Sequence, residues 1–368
     1  MADEAKPMRH GYTTGSNATA AMKAALLSLI HQKPVVDAEI LLPIGERVSF
    51  QMERVIFNET CAEAEVIKDA GDDPDATHKA RIVATVSWRE EPGILLDGGV
   101  GVGRVTKPGL PVPVGEAAIN PVPRRMIMTT AQEVLGEHGA KRGIRIVISV
   151  PDGEEIAKKT LNARLGILGG ISILGTRGTV VPFSTAAFKA SIAQAISVAV
   201  QGGCDHIIAT TGGRSEKFAM KLYEGYPEEA FIEMGDFVGF TLKMCKKYGI
   251  KRVSLVGMMG KFSKVAQGVM MVHSKSAPVD FGFLSDIAKE AGVAEHMVAQ
   301  VREANTASQV GDLMKEHGYD AFFGALCRHA CDAGLREMGG DAELETVIIT
   351  MKSEILGRER VDCRVLSK

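Results

Sequence analysis

Two long stretches of this chain carry cations and glycines but almost no acids. From Ile156 to Cys204 there is no Asp or Glu, while Lys158, Lys159, Arg164, Arg177 and Lys189 stand among glycines at 166, 169, 170, 175 and 178. Gly98 to Gln132 repeats the pattern, with Arg104, Lys107, Arg124 and Arg125 against a single acid, Glu116. Unopposed cations neutralise an anionic ligand, and glycines let a backbone approach it closely. The two segments together therefore predict a surface for a molecule with several negative charges. A third anion site is expected at Thr13-Thr14-Gly15-Ser16, which opens a helix whose first N–H groups attract carboxylate or phosphate. Ordinary N-capping accounts for the same residues equally well.

A second kind of chemistry is suggested further along. Thr210, Thr211, Gly212, Gly213 and Arg214 follow a short apolar strand, and Glu233 ends the next strand, 21 residues after Gly212. In doubly wound sheets the first turn approaches a nucleotide, and an acid about 20 residues on accepts from its ribose hydroxyls. Asp236 is the neighbouring alternative. No G-x-G-x-x-G is present, so a dinucleotide is not indicated. An adenosyl cofactor such as S-adenosylmethionine needs the ribose acid but no pyrophosphate cradle. Gly257, Met258, Gly260 and Lys261 follow the third strand and belong at the same carboxyl edge, with His273 a little beyond. A plain glycine turn with a surface acid is the competing account. GGVGVGRVTKPGL has no Gly-Lys-Ser/Thr, so a phosphate-binding P-loop is not supported.

The elements that must position these residues can be read in outline. At 368 residues two domains are expected. Residues 15–31 read as a helix, and 38–60 and 62–68 alternate as a hairpin does. Residues 66–79 form an acidic turn, 81–88 a strand, 125–139 a helix and 143–151 a strand. A long Ala-rich helix covers 184–202. Thereafter strands at 206–210, 230–234 and 253–257 alternate with helices, the pattern of a parallel sheet. Residues 345–359 read as one last strand. The boundary is placed at 195/196, giving an α+β domain over 1–195 and a parallel, Rossmann-like α/β domain over 196–368.

Composition narrows the function classes. A net charge of −2 argues against a nucleic-acid footprint, and the basic segments hold few aromatics for base stacking. No apolar run reaches the ~18 residues of a membrane span. The polar start MADEAKPMRHG is no secretory signal, and six cysteines without a Cys-x-x-Cys fit a reducing cytoplasm. Cys327, His329 and Cys331 suggest a metal site only until they are placed on a helix, where i, i+2, i+4 turns the His off the face of the two Cys. No metal is expected.

RHGYTTGSNATAAMKAAL, GGVGVGRVTKPGLPVPVGEAAINPVPRRMI, LNARLGILGGISILGTRGTVVP and TTGGRSEKFA, in that order along nearly the whole chain, resemble the CbiD family. The resemblance implies a cobalt-precorrin-5B C1-methyltransferase of anaerobic cobalamin biosynthesis. It implies a fold pairing a permuted, ribosomal-S5-domain-2-like α+β domain with a parallel α/β domain. The cofactor would be S-adenosylmethionine, and cobalt would belong to the substrate, a tetrapyrrole with several acetate and propionate carboxylates. The substrate-binding set is then Thr13, Thr14, Gly15, Ser16, Arg104, Thr106, Lys107, Asn120, Asn162, Arg164, Ser172, Thr176 and Arg177. Methyl transfer to an electron-rich carbon needs alignment more than a strong base, so Asp97 and His273 are only weak catalytic candidates. A small-molecule phosphotransferase and a non-catalytic tetrapyrrole or cobalt carrier are the alternatives. Assembly of like chains is left open.

Overall fold

Thr13 is extended, and its side chain accepts the N–H of Ser16, so the first helix, Thr14–His31, starts there. It ends at Gln32, whose φ of 50° is left-handed, just ahead of Pro34. The computed structural model describes residues 7–339 and 341–363. These divide into two units, Met1–Thr185 and Ala186–Lys368.

In the first unit a five-stranded sheet runs in the order Arg54–Phe57, Cys61–Ile67, Arg81–Arg89, Gly143–Ser149, Ile94–Gly98. All pairs are antiparallel except the last. Helix Thr14–His31 packs on the middle of this sheet and against helix Pro121–Glu137, which opens with Pro at a position that needs no N–H. The first helix is buried almost all round. Ala18, Ala20, Ala21, Ala24 and Ala25 let its neighbours approach closely, and Met22, Leu26 and Leu29 fill the remaining core with Ile82, Ile127 and Ile146.

The two acid-free segments turn out to be one structure. Arg104–Val105 pairs with Ile167–Leu168, and Gly101–Val102 with Gly170–Ile171. A Cβ on Gly101 would lie 1.8 Å from the Val150 carbonyl oxygen, and one on Gly170 would lie 2.1 Å from that of Gly101. These glycines serve backbone-on-backbone packing, which corrects the expectation that they open the chain to a ligand.

In the second unit, strands Phe231–Glu233, His206–Thr210, Arg252–Met258 and Glu343–Ile349 are parallel in that order. The single last strand expected at 345–359 is instead two. Ile355–Asp362 returns antiparallel to Glu343–Ile349 after a polar turn in which Ser353 takes a φ of 64°. Helices Phe281–Glu290, Glu295–Arg302, Ala307–Glu316 and Asp320–Met338 fill the chain before this hairpin. Cys327 and Cys331 are buried in the last of these, where Cys331 Sγ meets Thr346, and His329 turns away to Glu290. Among the described residues no helix is long and apolar enough to cross a membrane.

The division falls at 185/186, ten residues before the expected 195/196, which lies inside helix Thr185–Gln201. The reason is packing. Ile192 and Ile196 both belong to the core of the second unit, with Leu242, Phe262 and Leu284. Ile192 is 1% exposed, so Ile192→Ala should cost ~2–5 kcal/mol. Hydrogen exchange should quicken in the strands at 206–258 and stay unchanged in those at 54–149. The opposite distribution would return this helix to the first unit.

Candidate functional site

Parallel strands leave their carboxyl ends on one edge, and the connections of this sheet reverse between His206–Thr210 and Arg252–Met258. Ligands of open α/β sheets sit in the crevice at such a point. The first turn after His206–Thr210 is held open by Gly212, whose φ of 155° is accessible only to glycine. Its side is bare. A Cβ there would meet only a Glu233 carboxylate oxygen, at 3.9 Å, and Gly213 and Gly260 face open space. Glu233 is exposed and pairs in register with Thr210. The helix Gly213–Leu222 begins at this turn with no side chain capping its N–H groups.

Lys261 ties the edge together. Its ammonium lies 3.0 Å from Asp236 and donates to the Thr211 carbonyl at 3.1 Å. Asp236 is thereby committed to a cation, while Glu233 stands exposed beside the glycine turn. Val272 N–H donates to the Asp236 carbonyl, bringing His273 to the same edge. The His273 Nδ1 accepts from Lys275 N–H at 3.2 Å, so in the neutral ring the proton sits on Nε2. Thr210 is fully buried with its hydroxyl unpartnered. Met258 precedes helix Met259–Ala266. Arg214 reaches the Met351 sulfur at 2.9 Å. Gly257 is a packing glycine, since a Cβ there would fall 2.3 Å from the Phe262 ring and 2.7 Å from the Thr211 hydroxyl. The bare glycines and the exposed acid fit an adenosyl group.

At the opposite, amino end of the sheet, His206, Ser254 and Glu345 imitate a nucleophile array. His206 Nε2 lies 2.9 Å from the Ser254 hydroxyl, which donates to Glu345 at 2.6 Å. Glu345 also receives the Tyr223 hydroxyl and Arg358 Nε. The serine proton is thus spent on the acid, and the histidine donates to serine, the reverse of what a general base requires. Both His206 and Ser254 are 1% exposed, so no substrate reaches them. The array is structural.

In the first unit the TTGS motif is consumed by the protein, a correction to the helix-terminus anion site. Gly15 N–H donates to the Leu174 carbonyl and Ser16 N–H to Thr13. Thr14 Oγ1 accepts from Leu174 N–H at 2.9 Å, and Ser16 Oγ donates to the Gly178 carbonyl at 2.7 Å. The motif stitches the helix to the 172–178 segment. Thr106 is likewise bonded to the Gly166 carbonyl, and Asn162 to that of Gly170. Asn120 precedes helix Pro121–Glu137 without capping it, and its N–H donates to Ile173. Ser172 is buried, and Thr176 and Arg177 are exposed.

The acid gap in sequence is partly closed in space. Arg104 grips both oxygens of Asp97 at 2.9 and 3.0 Å, and Arg124 pairs with Glu116 at 3.1 Å. Asp97 also accepts Gly98 N–H. It is a tether rather than a base, and Arg104 is not an unopposed cation. Lys107 reaches toward the Arg164 carbonyl at 3.5 Å. Arg177 makes no hydrogen bond or ion pair among the described residues. Sequence reasoning missed Lys68 and Asp75, which form a 2.7 Å ion pair beside the TTGS motif. The usable signal was a lysine directly after the largely buried strand Cys61–Ile67, inside the stretch read as an acidic turn.

Burial, reinforced by the charge of Arg252, pushes the His206 imidazole down to about 4 against the opposing pull of Glu345 and Asp205. The unfolded chain therefore takes up this proton first. The stability it contributes is full above the ordinary value near 6.5 and is lost as pH falls through about 4. Denaturant titrations should show the second unit losing up to about 3 kcal/mol over that window, with the loss reduced in His206→Gln. A loss of the same size in the variant would assign it elsewhere.

Comparison with known proteins follows the same outline. The family model for CbiD matches residues 1–182, and that for the CbiD C-terminal domain matches residues 271–360. A protein of Geobacillus sp. (strain WCH70) named cobalt-precorrin-5B C(1)-methyltransferase is 65% identical over 353 residues, 96% of this chain and 97% of that one. One of the same name from Priestia megaterium is 62% identical over 355 residues, again 96% and 97%. The crystal structure of a cobalamin biosynthesis protein (cbiD) from Archaeoglobus fulgidus is 27% identical, with 84% of this chain and 85% of that one covered and a TM-score of 0.39. On the family models and these two relatives, the chain belongs to the CbiD family.

Proposed function

We infer that this chain is a cobalt-precorrin-5B C(1)-methyltransferase using S-adenosylmethionine. The observation that carries the reading is near-full-length identity to proteins of that name, joined to a bare glycine turn facing an exposed acid at the switch point of the second sheet. Asn120, Arg164, Thr176 and Arg177 remain the proposed contacts for the tetrapyrrole periphery, with Arg177 the cation best able to take a new partner.

Bound there, S-adenosylmethionine would supply an activated methyl group for displacement from sulfur by a tetrapyrrole carbon. The nucleophilic electrons come from the tetrapyrrole. What the chain contributes is position. Glu233 would accept from the ribose hydroxyls, and the Gly212–Gly213 backbone would let the cofactor lie against the sheet edge. Lys261 fixes the Thr211 carbonyl and Asp236 so that this edge keeps its shape. No base is required of the protein for the displacement, and Asp97 is held by Arg104. The gain from such alignment is large, because reacting atoms held in line at roughly 3–3.5 Å escape most of the entropy of encounter.

Glu233→Ala should weaken S-adenosylhomocysteine binding by about 1–3 kcal/mol, the worth of a hydrogen bond to a charged group, as read by calorimetric titration. Unchanged affinity in the folded variant would remove Glu233 from the site and turn attention to Asp236. Arg177→Ala should instead weaken tetrapyrrole binding, more at low salt than at high salt, and leave the cofactor affinity as it was. Tetrapyrrole affinity equal to wild type at low salt would exclude Arg177 as a carboxylate contact.

A further inference from the structure

Beside the head of helix Thr14–His31 the first unit holds a cavity of about 180 Å³, far above the ~10–15 Å³ that admits one water. Lys68 lines it and is 1% exposed. Leu174, also in the wall, is 48% exposed, so the cavity reaches the surface. The Lys68 ammonium has three donors. One goes to Asp75 at 2.7 Å, and the other two have no partner among the described residues.

Several other polar groups of the wall are spoken for. The second oxygen of Asp75 accepts the N–H and hydroxyl of Thr77 at 2.7 and 2.6 Å. Burial alone would raise the Asp75 carboxyl, but the charge and hydrogen bond of Lys68, with those of Thr77, hold it below its ordinary range. Thr14 Oγ1 is bonded to Leu174, and Thr160 Oγ1 donates to the Ala157 carbonyl at 2.8 Å. Asn162 spends one amide hydrogen on the Gly170 carbonyl and keeps the other. The rest of the lining includes Ile171 and Val180.

Such a wall selects its ligand. It offers uncommitted donors at its buried end and apolar surface elsewhere. Asp75 offsets part of the lysine's charge, so the attraction lies in directed hydrogen bonds more than in net charge. A buried ion pair is seldom more stable than an apolar pair of similar volume, so stability alone does not explain these residues. We propose that the cavity receives one aliphatic carboxylate arm of the tetrapyrrole, with the carboxylate accepting from Lys68 and Asn162 and the methylenes lying on Ile171 and Val180. The proposal rests on the methyltransferase reading for the identity of the substrate. The methionyl carboxylate of the cofactor has the same chemistry, and the test separates the two.

Binding of cobalt-precorrin-5B and of S-adenosylhomocysteine would be measured separately on the full chain, as wild type, Lys68→Met, Lys68→Met/Asp75→Leu and Asn162→Leu. The double variant removes both charges and so avoids a stranded buried carboxylate. We expect both Lys68 variants to bind the tetrapyrrole at least about tenfold more weakly, and Asn162→Leu about threefold more weakly. KM should rise with little change in kcat, and S-adenosylhomocysteine affinity should be unchanged. Wild-type tetrapyrrole affinity in the double variant, or in Asn162→Leu should the others not fold, would overturn the proposal and leave the pair a structural tie. A fall in S-adenosylhomocysteine affinity alone would overturn it in favour of the cofactor's carboxylate. If the wild-type protein binds the tetrapyrrole Lys68-dependently yet transfers no methyl group, the catalytic reading fails and the cavity assignment stands.

Discussion

Contact between bare backbones is the constraint on which the first unit depends. The carbonyl of Gly101 lies where a Cβ on Gly153 or on Gly170 would have to go, 2.0 and 2.1 Å away, and Gly101 itself presses on the Val150 carbonyl with a φ of 70°. Three chain segments meet there without an intervening side chain. The strand Gly143–Ser149, the segment after Ile94–Gly98 and the acid-free stretch are locked in register by this junction. Their side chains, including Arg104 and Asn162, are carried on it. Precision at the polar surface therefore descends from glycine packing below it, and flexibility is not what these glycines supply.

That junction also settles the charge balance. Carrying Arg104 on the strand pair beside Ile94–Gly98 places its guanidinium on Asp97, where two charge-assisted bonds hold it. A cation so held is a poor receptor for a second anion, because the first must be displaced or shared. On the proposed reading, anion recognition in this unit would fall to groups whose donors remain uncommitted, and exposed Arg177 and buried Lys68 differ in the right way. Arg177 can attract at a distance but is screened by salt. Lys68 attracts little at a distance but discriminates strongly at contact, since its surroundings are desolvated.

What the sequence disclosed and what it hid divide along physical lines. Local order was legible. The strands at 206–210 and 252–258, the helix at 185–201 and the turn at Thr211–Gly213 are each specified by neighbours in sequence, and the spacing of Glu233 from Gly212 reflects one strand–helix–strand unit. Long-range pairing was not legible. Nothing in residues 98–105 says that their partners are 166–171, and so their shared glycines looked like ligand loops. Asp97 lay one residue outside the segment whose cations seemed unopposed. Lys68 lay inside the stretch read as an acidic turn, and it is buried beside residues far from it in sequence, among them Thr13, Thr14 and Ser172. The last strand was mistaken for one because its turn, 350–354, has no glycine or proline to mark it.

The second sheet shows why polarity at an edge is not by itself a site. Both of its ends carry acids and hydroxyls. At the amino end the network around Glu345 is closed on itself: tyrosine, serine and arginine all converge on Glu345, and the serine proton points at the acid. A network satisfied in this way stiffens the strands and has nothing left to offer a ligand. At the carboxyl end the same sheet leads into Gly213 and Gly260, beside which a Cβ would find open space, and, among the described residues, a helix start without a side-chain cap. A helix start and a glycine turn on a rigid frame are what a bound molecule can complete, and here they stand at the edge where the strand connections reverse.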